Sequence, residues 1–140
     1  MFELDLKGRK SIYEQIVDNF KEQILLGLIV ADEQLSSVRE LSKSLTVNPN
    51  TIQKAYHELE RQGYIYTIAG KGTFASPKEN IGPDERIIAD VKASLFDDVK
   101  ELFYLFPDED DVKKIVNDTI EEIKAQILSS VATSEVKQDD

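Results

Sequence analysis

Few side chains in this sequence are suited to making or breaking bonds. Among 140 residues there is one His and one Met, and neither Cys nor Trp. Without Cys there is no disulfide framework, thiolate zinc site or cysteine nucleophile. His57 is followed by Glu58 and Glu60, a grouping that raises metal binding or acid–base work. On one helix, however, those three side chains cannot converge on a site with a fourth ligand, and His57 is read as surface. Asp108-Glu109-Asp110-Asp111 resembles a divalent-ion cluster, but it stands at a helix start, where acids cap free N–H groups and favour the helix dipole. With no triad to assemble, no enzyme, metal or cofactor is expected.

A second set of residues is suited to recognition. Arg39 has the fork that pairs with guanine, against the plainer role of a solvated Arg paired with a nearby acid. Asn48, Pro49, Asn50 and Thr51 surround one helix start: Asn48 is best explained as the cap and Pro49 as its rigid first residue, while Asn50 and Thr51 are small polar groups on the exposed side. One turn on, Gln53 can read adenine and Lys54 can meet phosphate, with plain exposed surface as the alternative for either. Gly70 and Lys71 fall at a turn tip, small enough and cationic enough for a minor groove, although an ordinary hairpin turn also demands Gly. Ser37 can donate to phosphate, and capping is its safer role.

The elements that must hold these residues are marked by local signals. Ser11-Ile12-Tyr13-Glu14 has capping-box spacing, Ile12, Ile16, Phe20 and Ile24 recur every four residues, and Gly27 offers a left-handed stop, which predicts a helix over about 11–26. Ser37-Val38-Arg39-Glu40 repeats the box, and Leu41 and Leu45 share a face. Thr46 and Val47 make a tight connection, and Asn48-Pro49 starts a third helix over 49–62 with Ile52, Ala55, Tyr56 and Leu59 inward and Gly63 at its end. Two helices joined by so short a turn are a helix-turn-helix. The period then drops to two: Tyr64 to Ile68, a turn at Ala69-Gly70-Lys71-Gly72 and a return strand Thr73-Phe74-Ala75 form a basic-tipped hairpin, a wing.

Beyond Ser76-Pro77-Lys78-Glu79-Asn80-Ile81-Gly82-Pro83 the composition changes. The full chain carries a net charge of −10, with nine basic against ten acidic residues in 1–77 and eight against seventeen in 78–140. Residues 36–78 alone are net +3, so acidity overall does not exclude a nucleic-acid partner. The expected organisation is a DNA-binding domain over 1–77, a linker over 78–83, a helical dimerisation and effector region over 84–128, and a disordered polar tail over 129–140. The fold class is mainly α with a small β-hairpin.

In the C-terminal region Ile88, Val91, Leu95, Val99, Leu102 and Phe106 form a near-heptad stripe, Pro107 breaks it, and Val112, Val116, Thr119, Ile123 and Ile127 line a second helix. Further apolar residues off that stripe, including Ile87, Phe96, Phe103, Ile115 and Ile120, exceed what one hairpin buries. Ile88, Val91, Leu95, Leu102, Phe103, Phe106, Val116, Ile120, Ile123 and Ile127 are therefore expected at a homodimer interface. Ile24 to Ala31 is too short for a membrane span, and Met1-Phe2-Glu3-Leu4-Asp5 has no secretory pattern, so cytoplasm is the expected address.

Leu35-Ser36-Ser37-Val38-Arg39-Glu40-Leu41, the run Leu45 to Glu60, Gly63 and Gly70-Lys71-Gly72-Thr73-Phe74 resemble, in unbroken order, the winged-helix signature of GntR-type bacterial transcription regulators. The short C-terminal part resembles the YtrA-like subgroup. The resemblance implies a dimeric repressor on an inverted-repeat operator, released by an unidentified small-molecule or protein effector. It also implies that Arg39 faces the operator. Where the family usually has Pro, Gly and Pro, this sequence has Ala31, Asp32 and Ser36, which predicts a looser loop and, through Asp32-Glu33, weaker affinity. The rival reading is a winged-helix adaptor for another protein, supported by the net charge and separable by the salt dependence of DNA binding.

Overall fold

A computed structural model describes residues 3–82 and 84–138, with side chains through 129. The chain divides into two compact units, Met1–Gly82 and Pro83–Asp140.

The first unit contains α1 (Ile12–Leu25), α2 (Val38–Leu45), α3 (Pro49–Arg61) and the strands β1 (Ile65–Ile68) and β2 (Gly72–Ala75). Each helix starts where the caps predict. Ser11 Oγ accepts from Glu14 N at 3.2 Å, Ser37 Oγ from Glu40 N at 3.1 Å, and Asn48 Oδ1 from Asn50 N at 2.9 Å, with Pro49 in the first helical position. The turn between α2 and α3 is closed by Thr46 in the left-handed region at φ 54°, by Val47 N donating to Ser42 O at 3.1 Å, and by Ser42 Oγ donating to Val47 O at 2.5 Å.

The predicted stripes meet in one core. Ile16, Phe20 and Ile24 of α1, Leu41 of α2, and Ile52, Ala55, Tyr56 and Leu59 of α3 are buried together with Leu35, Ile65 and Ala75. Phe20 and Tyr56 meet edge to face, 5.4 Å between centroids. Tyr56 also donates from its hydroxyl to Ser36 O at 2.6 Å, tying α3 to the entry of α2.

The wing pairs antiparallel from Ile65↔Ala75 to Ile68↔Gly72, so β2 begins one residue before the predicted return strand. The approach to α2 joins it. Asp32 N donates to Ala75 O, Ala75 N to Glu33 O and Leu35 N to Thr73 O, at 2.8 to 2.9 Å, and Gln34 bridges Phe74. The looser loop expected at Ala31, Asp32 and Ser36 is thus corrected. Asp32 adopts φ 63°, a conformation Asp tolerates better than most residues. Its Oδ1 accepts from the Tyr66 hydroxyl at 2.6 Å.

The segment read as a linker also belongs largely to this unit. Lys78–Asn80 form one 3-10 turn, and Ile81 packs against the core, which places the division after Gly82.

The second unit consists of α4 (Glu85–Leu105) and α5 (Glu109–Gln138). Asp84 Oδ1 accepts from Arg86 N at 2.8 Å and Asp108 Oδ1 from Asp110 N at 3.0 Å, so the acidic run serves as a helix start. The backbone of 129–138, expected as a disordered tail, continues α5. Val112 is buried and Val99, Leu102, Ile115 and Val116 are half-buried. Ile88, Val91, Leu95, Ile123 and Ile127 of the two stripes, and Phe103 and Ile120 beside them, are exposed. Among the described residues no helix is long and apolar enough to cross a membrane.

Candidate nucleic-acid interface

The amino end of α3 is the centre of the polar face. Packing of Ile52, Ala55, Tyr56 and Leu59 into the core fixes the roll of this helix. The opposite side then carries Asn50, Gln53 and Lys54 to solvent, with Thr51 at the margin. Asn48 is committed to its cap and Pro49 to the first turn, in line with the structural roles the sequence gives them. The side chains of Asn50 and Gln53 have no hydrogen-bond partner among the described residues, which leaves their donors and acceptors for a ligand.

Arg39 lies exposed on the first turn of α2 and has no ion-pair partner among the described residues. The plain alternative, an Arg satisfied by a neighbouring acid, is not what the geometry shows. Ser37, one residue before that helix, accepts from Glu40 N and so acts as the cap.

Lys54 takes a position the sequence did not indicate. Its Nζ sits 4.4 Å from the centroid of the Tyr13 ring, a cation–π contact between α3 and the start of α1. Ser11, Ile12, Tyr13, Asn50, Thr51 and Lys54 together line a shallow groove of about 400 Å³. Partial burial pushes the Tyr13 phenol up from its ordinary value. Tyr13 was missed because nothing local links it to a helix 40 residues on; its only visible signal was a place in the first turn after a cap.

The wing tip is a hydrogen-bonded turn, Lys71 N to Ile68 O at 3.0 Å. Gly70 holds φ 78° there, where a side chain is strained although space is open around it. Lys71 is exposed beside it. On the wing face Tyr66 stacks on Phe74 at 5.6 Å, and the Asp32 carboxylate holds the Tyr66 phenol above its usual range.

At the far end of α3, Arg61 donates from Nε and a terminal guanidinium nitrogen to the two Glu58 oxygens at 2.9 and 2.6 Å, and Gln62 donates to Oε1 at 2.6 Å. The Arg61 guanidinium beside it holds the Glu58 carboxyl at about 2, well below the usual carboxylate range. The carboxylate that suggested metal or acid–base chemistry is thereby engaged, and His57 lies exposed next to it.

These features define a winged helix-turn-helix whose polar, partly cationic face is formed by the amino ends of α2 and α3 and the wing tip. Residues 12–75 match the bacterial regulatory proteins of the gntR family. Over 76 residues the chain is 46% identical to the HTH-type transcriptional repressor YtrA of Bacillus subtilis (strain 168), an overlap of 54% of this chain and 58% of that protein. It is 36% identical over 98 residues to the uncharacterized HTH-type transcriptional regulator YhcF of the same organism, covering 69% of this chain and 81% of that one. Among solved structures, a transcriptional antiterminator from Listeria monocytogenes EGD-e superposes with a TM-score of 0.75 at 36% identity, over 88% of this chain and 92% of the other. The chain belongs to the GntR family of helix-turn-helix regulators and is not an enzyme.

Proposed function

We propose that the chain is a YtrA-like repressor that binds an inverted-repeat operator as a homodimer. The observation that carries this reading is the set of side chains at Arg39, Asn50, Gln53 and Lys71, exposed at the amino ends of α2 and α3 and on the wing and without a hydrogen-bond or ion-pair partner among the described residues. Arg39 and Gln53 are suited to base edges, Asn50, Thr51 and Lys54 to the sugar–phosphate flank, and Gly70 with Lys71 to the minor groove. Ser37, Asn48 and Pro49 keep the helix starts in place.

The exposed apolar faces of α4 and α5, centred on Leu95, Phe103, Ile120 and Ile123, support a second copy as their cover. A two-fold dimer presents two recognition helices to half-sites about one turn, ~34 Å, apart. The acidic second unit is repelled by phosphates, which leaves DNA contact to the first unit. An effector acts in this scheme only by binding one arrangement of the two heads better than the other.

The test is equilibrium binding of the full chain to a selected operator duplex and to a random duplex, each across a salt series. A repressor of this type prefers the operator by about 1,000-fold or more and loses affinity steeply with salt. Equal and salt-insensitive binding to both duplexes would favour the adaptor reading, in which the acidic half engages another protein.

A further inference from the structure

The wing is a short ribbon, and two strands of four residues are marginal by themselves. At its base the ribbon is held by the segment before α2, through Asp32 N to Ala75 O, Ala75 N to Glu33 O and Leu35 N to Thr73 O. That backbone ladder ends at Thr73, leaving Gly72 and Lys71 at the tip. The next link outward comes from a side chain. Gln34 Nε2 donates to Lys71 O at 3.1 Å across 37 residues of sequence.

Gly72 makes room for this link. A Cβ on Gly72 would stand 2.6 Å from Gln34 Nε2, and the residue holds φ 133°, so the amide lies directly against glycine backbone. Gln34, Gly72 and Thr73, with Leu35 to Val38 and Glu40, line one groove between the wing and the start of α2.

We propose that Gln34 is a positioning residue for the wing: its side-chain amide extends the ladder one rung past the last backbone pair and fixes Lys71 for the minor groove. The proposal rests on the DNA-binding reading and deepens it. Fixing the Lys71 carbonyl narrows the directions in which the Lys71 side chain leaves the turn. The ordering cost of the wing is then met in the free protein instead of on binding. The same contact couples wing and recognition helix, since Ser36, two residues past Gln34, accepts from the Tyr56 hydroxyl of α3.

The experiment uses the full chain with Gln34→Leu, which places an apolar side chain of broadly similar size there and removes the donor. Amide hydrogen exchange is followed without DNA, and binding is measured to a duplex that the wild-type chain recovers from a randomised pool. Exchange at Lys71, whose N–H donates to Ile68 O, is expected to accelerate while Tyr56 and Leu59 in the core stay protected, and affinity is expected to fall about three- to tenfold. Because Gln34 acts through Lys71, Gln34→Leu should add little to the loss already caused by Lys71→Ala. Unchanged wing exchange overturns the proposal. So does faster exchange with unchanged affinity, or the same loss whether or not Lys71 is present. If the wild-type chain recovers no duplex, the DNA-binding reading fails, and wing exchange alone still decides whether Gln34 holds the tip.

Discussion

The two units use amphipathic helices in opposite ways. In Met1–Gly82 three helices of 8 to 14 residues turn their stripes onto one another and onto the wing, and Ile16, Ile24, Ile52 and Leu59 are sealed from solvent. In the second unit α4 and α5 are longer, 21 and 30 residues, yet Val112 is the fully buried apolar side chain among those described. Length therefore does not make a core. A third surface does: α1 supplies one for α2 and α3, whereas α4 and α5 form a pair with large faces left over. The first unit carries its stability within itself, and on the proposed reading the second gains its stability from a copy.

The sharpest way to test that contrast is to damage each core separately. Leu59→Ala empties a fully buried position in the first unit and should cost about 2–5 kcal/mol, read as a lower urea midpoint. A midpoint within error of wild type would mean that the unit's core lies elsewhere. Leu95→Glu with Ile123→Glu places charges on the open faces of α4 and α5 and should cost dimer formation about 3 kcal/mol. Sedimentation should then move from twice 15.9 kDa to 15.9 kDa, with the first unit still folding cooperatively. A variant that stays dimeric removes those faces from the interface.

Smaller effects lie on the polar face. Arg39→Ala should lose about 1–3 kcal/mol on the operator and much less on random duplex. Equal losses on both would demote Arg39 to a phosphate contact. The smallest effect concerns Glu58. Its folded carboxyl titrates at about 2 instead of 4.5, so its contribution is present above pH 4.5 and is lost as pH falls toward 2. The pair with Arg61 is partly solvated, and Glu58→Gln should cost about 0.5 kcal/mol at neutral pH and only a small part of that near pH 2. A difference that persists in full at pH 2 would mean the amide disturbs packing instead of charge.

What was legible in the sequence was local. Ser11, Ser37 and Asn48 marked three helix starts, Gly63 marked an end, and the spacing of Ile52, Ala55, Tyr56 and Leu59 fixed the roll of α3 and with it the exposure of Asn50 and Gln53. What was not legible depends on residues far apart in the chain. Asp32 in place of a glycine suggested looseness, because neither the backbone bond to Ala75 nor the Tyr66 hydroxyl 34 residues away leaves a trace in spacing. Tyr13 under Lys54 and Gln34 over Gly72 were hidden for the same reason. In the second unit the stripes were visible and their partner was not, since periodicity tells which face is apolar and not what covers it.

The most direct test of the central claim is to mix the full chain with fragmented DNA of its source genome at moderate salt and sequence what it retains. The account predicts one enriched inverted-repeat motif, its half-sites about one helical turn apart. Retention no better than random would contradict it.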